Sequence, residues 1–356
     1  MLLPLLLLLL AALVASPARS LSFSPGSPAF GFHIDWGATS PASVGTILGR
    51  PPACFAEFYS FGASSLDPAT VEQHATLVKA AGASCLFLSL EPWFGLDSKG
   101  IAGTDIAAIA DACNRANALG VDIIVRFAHE MNAPWYPWGL PAGEGNYIAA
   151  YRRVVSGLRA QLKNRTMTYT LWAPQMWSCE GRGPVEDPYG RWYPGDDYVD
   201  IVGFSLFHFP TLPSPSNPLS RLFSQNPAPA GMLSNILRGR PGGGAYCDFR
   251  NVFGDKKAFS KPIIVAETGV GWSPAQKGET SDQEQALELS IKRTWWRQLL
   301  FANEGANPLN ISMVMWFEFN KTEQGFSGME YRDFRILTGS NATRDAFLDD
   351  YKAKTQ

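Results

Sequence analysis

Along the chain, short unbroken apolar runs alternate with longer segments in which apolar residues recur at three- and four-residue spacings. The unbroken runs predict eight strands, at 30–35, 55–60, 85–90, 121–127, 167–172, 199–204, 263–266 and 312–317. The spaced segments predict helices at 68–81, opened by Asp67 as N-cap with Pro68 in the first turn, and at 105–119, opened by Thr104. Two more are predicted at 146–162 and 282–302. Near-continuous apolar strands alternating with helices indicate a parallel sheet covered by helices, and eight such units indicate an α/β fold of the closed (β/α)8 TIM barrel type. The rival is an open doubly wound sheet, but no Gly-x-Gly-x-x-Gly follows the first strand to support it. Segments 175–198 and 210–261, rich in Pro, Gly and Ser, follow the fifth and sixth strands on the face where barrel sites are built.

Composition narrows the functional classes. With 356 residues, 46% of them hydrophobic, the chain can form one barrel-sized domain, and its net charge of −2 without a basic block argues against a nucleic-acid partner. Residues 1–14 are leucine-rich and the small residues Ala15 to Ser20 follow, which predicts a signal peptide over 1–20 and a secreted, extracellular barrel domain over 21–356. The leader lacks a basic n-region, yet it is shorter than the ~20 apolar residues a membrane span requires, so no membrane association is expected after cleavage. Four sequons, at Asn164, Asn310, Asn320 and Asn341, are candidate N-glycosylation sites. Five cysteines show no metal spacing. Cys85, inside an apolar run, reads as a small buried hydrophobe, and Cys179 with Cys247 form a candidate disulfide between the two long segments, the connectivity remaining open. The four histidines show no zinc spacing either, so neither metal nor cofactor is expected.

Chemistry concentrates at the strand ends. The run Arg126-Phe-Ala-His-Glu-Met-Asn-Ala-Pro-Trp-Tyr-Pro-Trp-Gly139 places Arg126, His129, Glu130 and Trp135 at the end of the fourth strand, and Glu267 ends the seventh. In a parallel barrel all such ends share one face, so residues far apart in sequence converge there. Two carboxylates among aromatics suit glycoside cleavage, one as proton donor and one as nucleophile. Glu130, crowded by aromatics, is expected to stay protonated and Glu267 to stay ionised, with Arg126 on the same side as Glu130 and able to hold a carboxylate. Trp36, Tyr59, Trp93, Gln175 and Trp316 at other strand ends are candidate sugar contacts. Blander readings apply to Glu91 and Glu318 as solvated or capping carboxylates, Trp295 and Trp296 as packing residues, His33 as a core histidine and His74 as a helix-surface residue. Ser205 lacks the second glycine of a nucleophile elbow, and Gly242-Gly243-Gly244 lacks the Lys-Ser/Thr of a phosphate loop.

The His129-Glu130-Met131-Asn132 motif, with Arg126 upstream and Trp135 and Trp138 downstream, resembles the acid/base motif of glycoside hydrolase family 26, and the likeness extends over most of the chain beyond the leader. The resemblance implies a retaining (β/α)8 barrel with Glu130 as acid/base and, through Ala266-Glu267-Thr268-Gly269, Glu267 as nucleophile. It also implies that Arg126, His129, Trp135 and Trp316 surround the cleavage point and that Trp272 is a further sugar contact. One departure stands out. Where that family has Gly-x-Asp-x-Tyr, this chain has Gly203-Phe204-Ser205-Leu206-Phe207, with His208 or Tyr59 as possible substitutes for the tyrosine hydroxyl. The expected activity is that of a monomeric endo-β-1,4-mannanase acting on polysaccharide. A mixed-linkage or β-1,3-glucanase is the alternative, and a non-catalytic carbohydrate-binding barrel is the competing class.

Overall fold

The structure, a computed structural model, describes Phe23 and residues 28–176, 189–210, 227–238, Phe249, 261–274, 281–306, 308–325 and 328–355. The predicted leader over 1–20, the Cys179–Cys247 pairing and most of the two long segments lie outside the described residues.

Eight parallel strands close a barrel in sequence order: β1 (Ala29–Ile34), β2 (Phe55–Ser60), β3 (Cys85–Glu91), β4 (Asp122–Phe127), β5 (Thr168–Trp172), β6 (Ile201–His208), β7 (Ile263–Val270) and β8 (Ile311–Glu318). Around it run α1 (Pro41–Leu48), α2 (Pro68–Ala80), α3 (Gly103–Ala118), α4 (Glu144–Gln161), α5 (Met232–Arg238), α6 (Asp282–Leu300) and α7 (Asn341–Thr355). All eight predicted strands exist, and the (β/α)8 barrel is the observed fold. α1, α5 and α7 were not predicted from the periodicity. Nor was the antiparallel hairpin of β9 (Asn320–Gly325) and β10 (Gly328–Asp333) that follows β8.

Local chemistry sets the helix starts. Asp67 caps α2, accepting from the Ala69 N–H, with Pro68 at the first turn. The expected Thr104 cap is corrected: α3 begins at Gly103, and Asp105 reaches back to accept the N–H groups of Ala102 and Ser64. α7 is tied to α6 through Asp350, which accepts from Arg293, Arg297 and the Trp296 indole.

Strand alternation divides the core into two layers. Outward residues pack under the helices, with Trp295 and Trp296 fully buried there as predicted packing residues. Inward residues, among them Phe87, Ile124, Leu171, Ile264 and Met315, fill the barrel. Gly31 is needed in that lumen, since a Cβ would stand 2.5 Å from the Cys54 carbonyl oxygen. The reading of Cys85 as a free hydrophobe is corrected: it is buried but forms a disulfide with Cys54 on the neighbouring strand, while Cys113 is a buried free thiol. Two apolar runs leading to adjacent strands carry no signal that their cysteines face the same lumen.

Candidate active site

Two backbone devices aim the carboxylates. After β4 the chain turns sharply, with Ala128 and Glu130 both left-handed (φ 48° and 54°), an unfavourable state for side-chain-bearing residues that surrounding contacts must hold. The Glu130 N–H donates to the Ala173 carbonyl, and Asn132 exchanges hydrogen bonds with the Gln175 backbone, clamping the turn to the end of β5. On β7, the register against β6 slips after Phe204, so that Val265 pairs Phe204 while Glu267 pairs Ser205. This bulge interrupts the alternation. Ala266 lies in the lumen and the next residue, Glu267, also faces the barrel axis, while Thr268 turns outward to bond Leu206 and Trp295.

Between the two glutamates lies a buried cation. Arg126 Nη1 donates to Glu267 Oε2 at 2.6 Å, and Nη2 donates to Ser205 Oγ at 2.6 Å. The expectation that Arg126 can hold a carboxylate is met, and the carboxylate is Glu267. Glu130 Oε2 accepts from the Trp135 indole at 2.8 Å. His129 is buried beside them, sharing a hydrogen bond with Tyr136 Oη, and burial with the Arg126 charge keeps its ring neutral.

The two carboxyls are about equally enclosed, at 6% and 7% exposure, yet they differ in charge. Burial first, then the neighbouring Glu267 charge, pushes Glu130 up to about 7. Burial acts upward on Glu267 as well, but the Arg126 charge and hydrogen bond outweigh it and hold that carboxyl below its ordinary value. Near neutral pH Glu130 is therefore poised between holding and releasing its proton, while Glu267 carries a charge.

Above them opens a cleft of about 650 Å³ lined by both glutamates, Trp135, Tyr136, Gln175, Phe207, Phe209, Phe334 and hairpin residues including Lys321 and Arg332. Trp135 is half exposed, and Tyr136 stacks on Trp138 with ring centroids 4.3 Å apart. Trp93, also half exposed, does not line the cleft itself but packs edge-on against Tyr136 and Trp138, its indole bonded to Glu91.

Other predicted contacts are not in the cleft. Trp316 is fully enclosed and donates its indole N–H to the Phe334 carbonyl, so it is a wall of the core rather than an exposed platform. Trp272 is likewise buried, and its backbone pairs with Asp333 of the hairpin. Trp36 and Tyr59 point outward: Trp36 stacks on His74, and Tyr59 Oη bonds the same imidazole at 2.6 Å. His74 is thereby a packing partner and not a helix-surface residue. Neither proposed substitute for the tyrosine hydroxyl reaches Glu267, because Tyr59 faces α2 and His208 stacks against Trp295. His33 is a core histidine, bonded to the Ala266 carbonyl, and Glu318 accepts three backbone N–H groups from 336–338 in a purely structural role. Glu91, by contrast with its bland reading, is engaged with Trp93 close to the site. The sequence reading did not single out Tyr136, Phe209, Lys321, Arg332 and Phe334. Tyr136 lay inside the quoted motif, whereas the hairpin residues follow no apolar pattern.

The fold and site define a (β/α)8 barrel with two buried carboxyls, one raised to about 7 and one held below its ordinary value, at the mouth of the lumen. The chain is related to glycosyl hydrolase family 26, whose model matches residues 91–222. It is 29% identical over 191 residues to Endoglucanase H of Acetivibrio thermocellus, covering 50% of this chain and 20% of that protein. It is 28% identical over 120 residues to the mannan endo-1,4-beta-mannosidase of Bacillus subtilis strain 168, covering 32% of each. The chain thus spans between a fifth and a third of these curated relatives. Solved structures share the fold: a modular endo-beta-1,4-mannanase from Cellulomonas fimi (TM-score 0.59, 19% identity, 95% of this chain and 73% of that one). The catalytic domain of a Bacillus sp. JAMB-750 GH26 endo-beta-1,4-mannanase is comparable (TM-score 0.58, 20% identity, 92% and 86%).

Proposed function

We propose that the protein is a secreted, retaining β-glycoside hydrolase that cuts a polysaccharide internally, with β-1,4-mannan as the first substrate. The observation that carries this reading is the pairing of an enclosed Glu130, raised to about 7, with an Arg126-held Glu267 in one aromatic cleft. In the proposed reaction Glu267 attacks the anomeric carbon while Glu130 gives its proton to the departing oxygen. Glu130, now ionised, then takes a proton from water as that water releases the sugar from Glu267. Products keep their anomeric configuration. The names of the Bacillus subtilis relative and of the Cellulomonas fimi and Bacillus structures favour mannan.

A β-glucan is the second reading, favoured by the likeness to Endoglucanase H and by Phe207, which presents a bare ring to the cleft where the resemblance led us to expect a tyrosine. The leader over 1–20 supports secretion, and all four sequon asparagines are exposed, as glycan attachment requires. We take the working form to be a monomer.

Incubating the purified protein with a polysaccharide panel and following products by proton NMR tests the reading. Oligosaccharides released from β-mannan with retained configuration are expected. Release only from a β-glucan would select the second reading, and an inverted anomer appearing first would contradict the mechanism.

A further inference from the structure

Arg126 occupies one oxygen of Glu267, and the side of the cleft next to β8 is built from rings. Phe207, Phe317 and Phe334 meet edge to face, at centroid distances of 5.8, 5.6 and 5.3 Å, forming an apolar cup without a hydrogen-bond donor. Over this cup lies one cation. The Lys321 ammonium stands 5.0 Å from the Phe317 centroid and 5.7 Å from that of Phe334. Lys321 lines the same cleft as Glu267, its side chain is 45% exposed, and Glu323 Oε2 holds its ammonium at 2.8 Å. Glu323 is itself fixed by Arg332, which is also bonded to Glu330 and stacked on Phe209. The first strand of the hairpin, β9, is therefore a braced arm that carries a cation over the cup.

An ammonium has three donors, and the ion pair with Glu323 leaves it able to offer more. We propose that Lys321 is a specificity-determining contact: its ammonium donates to a ring hydroxyl of the sugar held beside Glu267, supplying the polar group that Phe207 lacks. This rests on the hydrolase reading above. Lys321 also acts on the nucleophile, since its charge is among those favouring the ionised Glu267. The other charged or titratable groups facing Glu267 are Arg126, Glu130, His33, Glu91 and Tyr136.

The test compares Lys321→Met, which keeps the stem over the rings and removes the charge, with Lys321→Arg, on the polysaccharide the wild type cleaves. Losing a hydrogen bond to a charged donor should lower kcat/KM by roughly 10- to 100-fold in the Met variant, and Arg should restore most of it. The acidic limb of the pH profile should also move upward with Met and stay in place with Arg, a response that loosened packing alone does not give. Glu323→Gln, which removes the carboxylate bracing Lys321 but keeps the ammonium itself, should raise KM more than it lowers kcat. If wild type is active and Lys321→Met keeps both kcat/KM and its pH profile, the Lys321 inference fails alone. If wild type cleaves nothing in the panel, the hydrolase reading fails and the inference with it.

Discussion

The ends of β4 and β7 present the same functional group, a glutamate nearly sealed from water, and yet shift its proton affinity in opposite directions. At β4 the strained turn leaves Glu130 with two neutral donors, the Ser205 hydroxyl and the Trp135 indole, and a negative neighbour. At β7 the bulge delivers Glu267 onto a guanidinium that lies wholly inside the barrel. Burial is common to both, so burial alone explains neither assignment. What differs is the partner, and the lesson is that one buried arginine divides two chemically identical carboxyls into one that holds a proton up to about 7 and one kept ionised, the division the proposed mechanism requires.

The largest effects should come from deleting either carboxyl. Glu130→Gln and Glu267→Gln should each lower turnover on polysaccharide by about 10²- to 10⁴-fold or more while the circular dichroism spectrum stays native. An aryl glycoside with a good leaving group separates them: bond cleavage should largely survive in the Glu130 variant and stay abolished in the Glu267 variant. Equal losses on both substrates would erase the distinction between the two ends.

Arg126→Met attacks the cause of the difference. Without the guanidinium, burial is opposed only by the charges of His33 and Lys321, so the Glu267 carboxyl should hold its proton more strongly, moving the acidic limb of kcat/KM upward and cutting activity at pH 7 by about 10- to 100-fold. Breaking a buried pair from one side should also cost about 3 kcal/mol in denaturant melts. An unmoved limb would show that Arg126 does not set the charge of Glu267.

A smaller change sharpens the β4 side. Trp135→Phe removes the indole donor to Glu130 and leaves the Ser205 hydroxyl in place; the lost bond favours the ionised form, so the basic limb should move upward from about 7. The accompanying loss in kcat/KM should be near 10-fold.

The smallest effect is on stability. The folded protein holds the Glu130 proton up to about 7, whereas an ordinary glutamate releases it near 4.5. The stabilisation from the neutral acid is thus complete below about 4.5 and is lost as pH rises through about 7. Glu130→Gln, which cannot ionise, should melt above wild type at pH 8 by about 1 kcal/mol or more, and the difference should shrink at pH 4. A variant less stable than wild type at pH 8 would mean that the carboxylate is better accommodated there than its enclosure indicates.

Much of this arrangement was legible in the sequence. Unbroken apolar runs gave all eight strands, and the convergence of strand ends in a parallel barrel was enough to bring Arg126, Glu130 and Glu267 together from 141 positions apart. The misreadings share a physical origin. Trp36, Tyr59 and Trp316 stand at strand ends but pack in the outward layer, and Trp272 is buried with its backbone paired to Asp333 of the hairpin, so nearness to the mouth did not confer exposure. The hairpin itself, 320–333, is a polar ribbon with neither helical nor strand-like apolar periodicity, and it supplies a wall of the cleft. Likewise the Cys54–Cys85 bond depends on two strands facing one lumen, which spacing along the chain does not encode.

Carboxyl carbon-13 NMR of the glutamate-labelled protein, titrated from pH 3 to pH 9 in wild type, Glu130→Gln and Glu267→Gln, reads the central claim without any substrate. The account predicts a resonance titrating at about 7 that disappears in Glu130→Gln and moves to lower pH in Glu267→Gln, where the neighbouring charge is gone. A resonance near 7 that vanishes with Glu267 instead, or both carboxyls titrating together in the ordinary range, would contradict it.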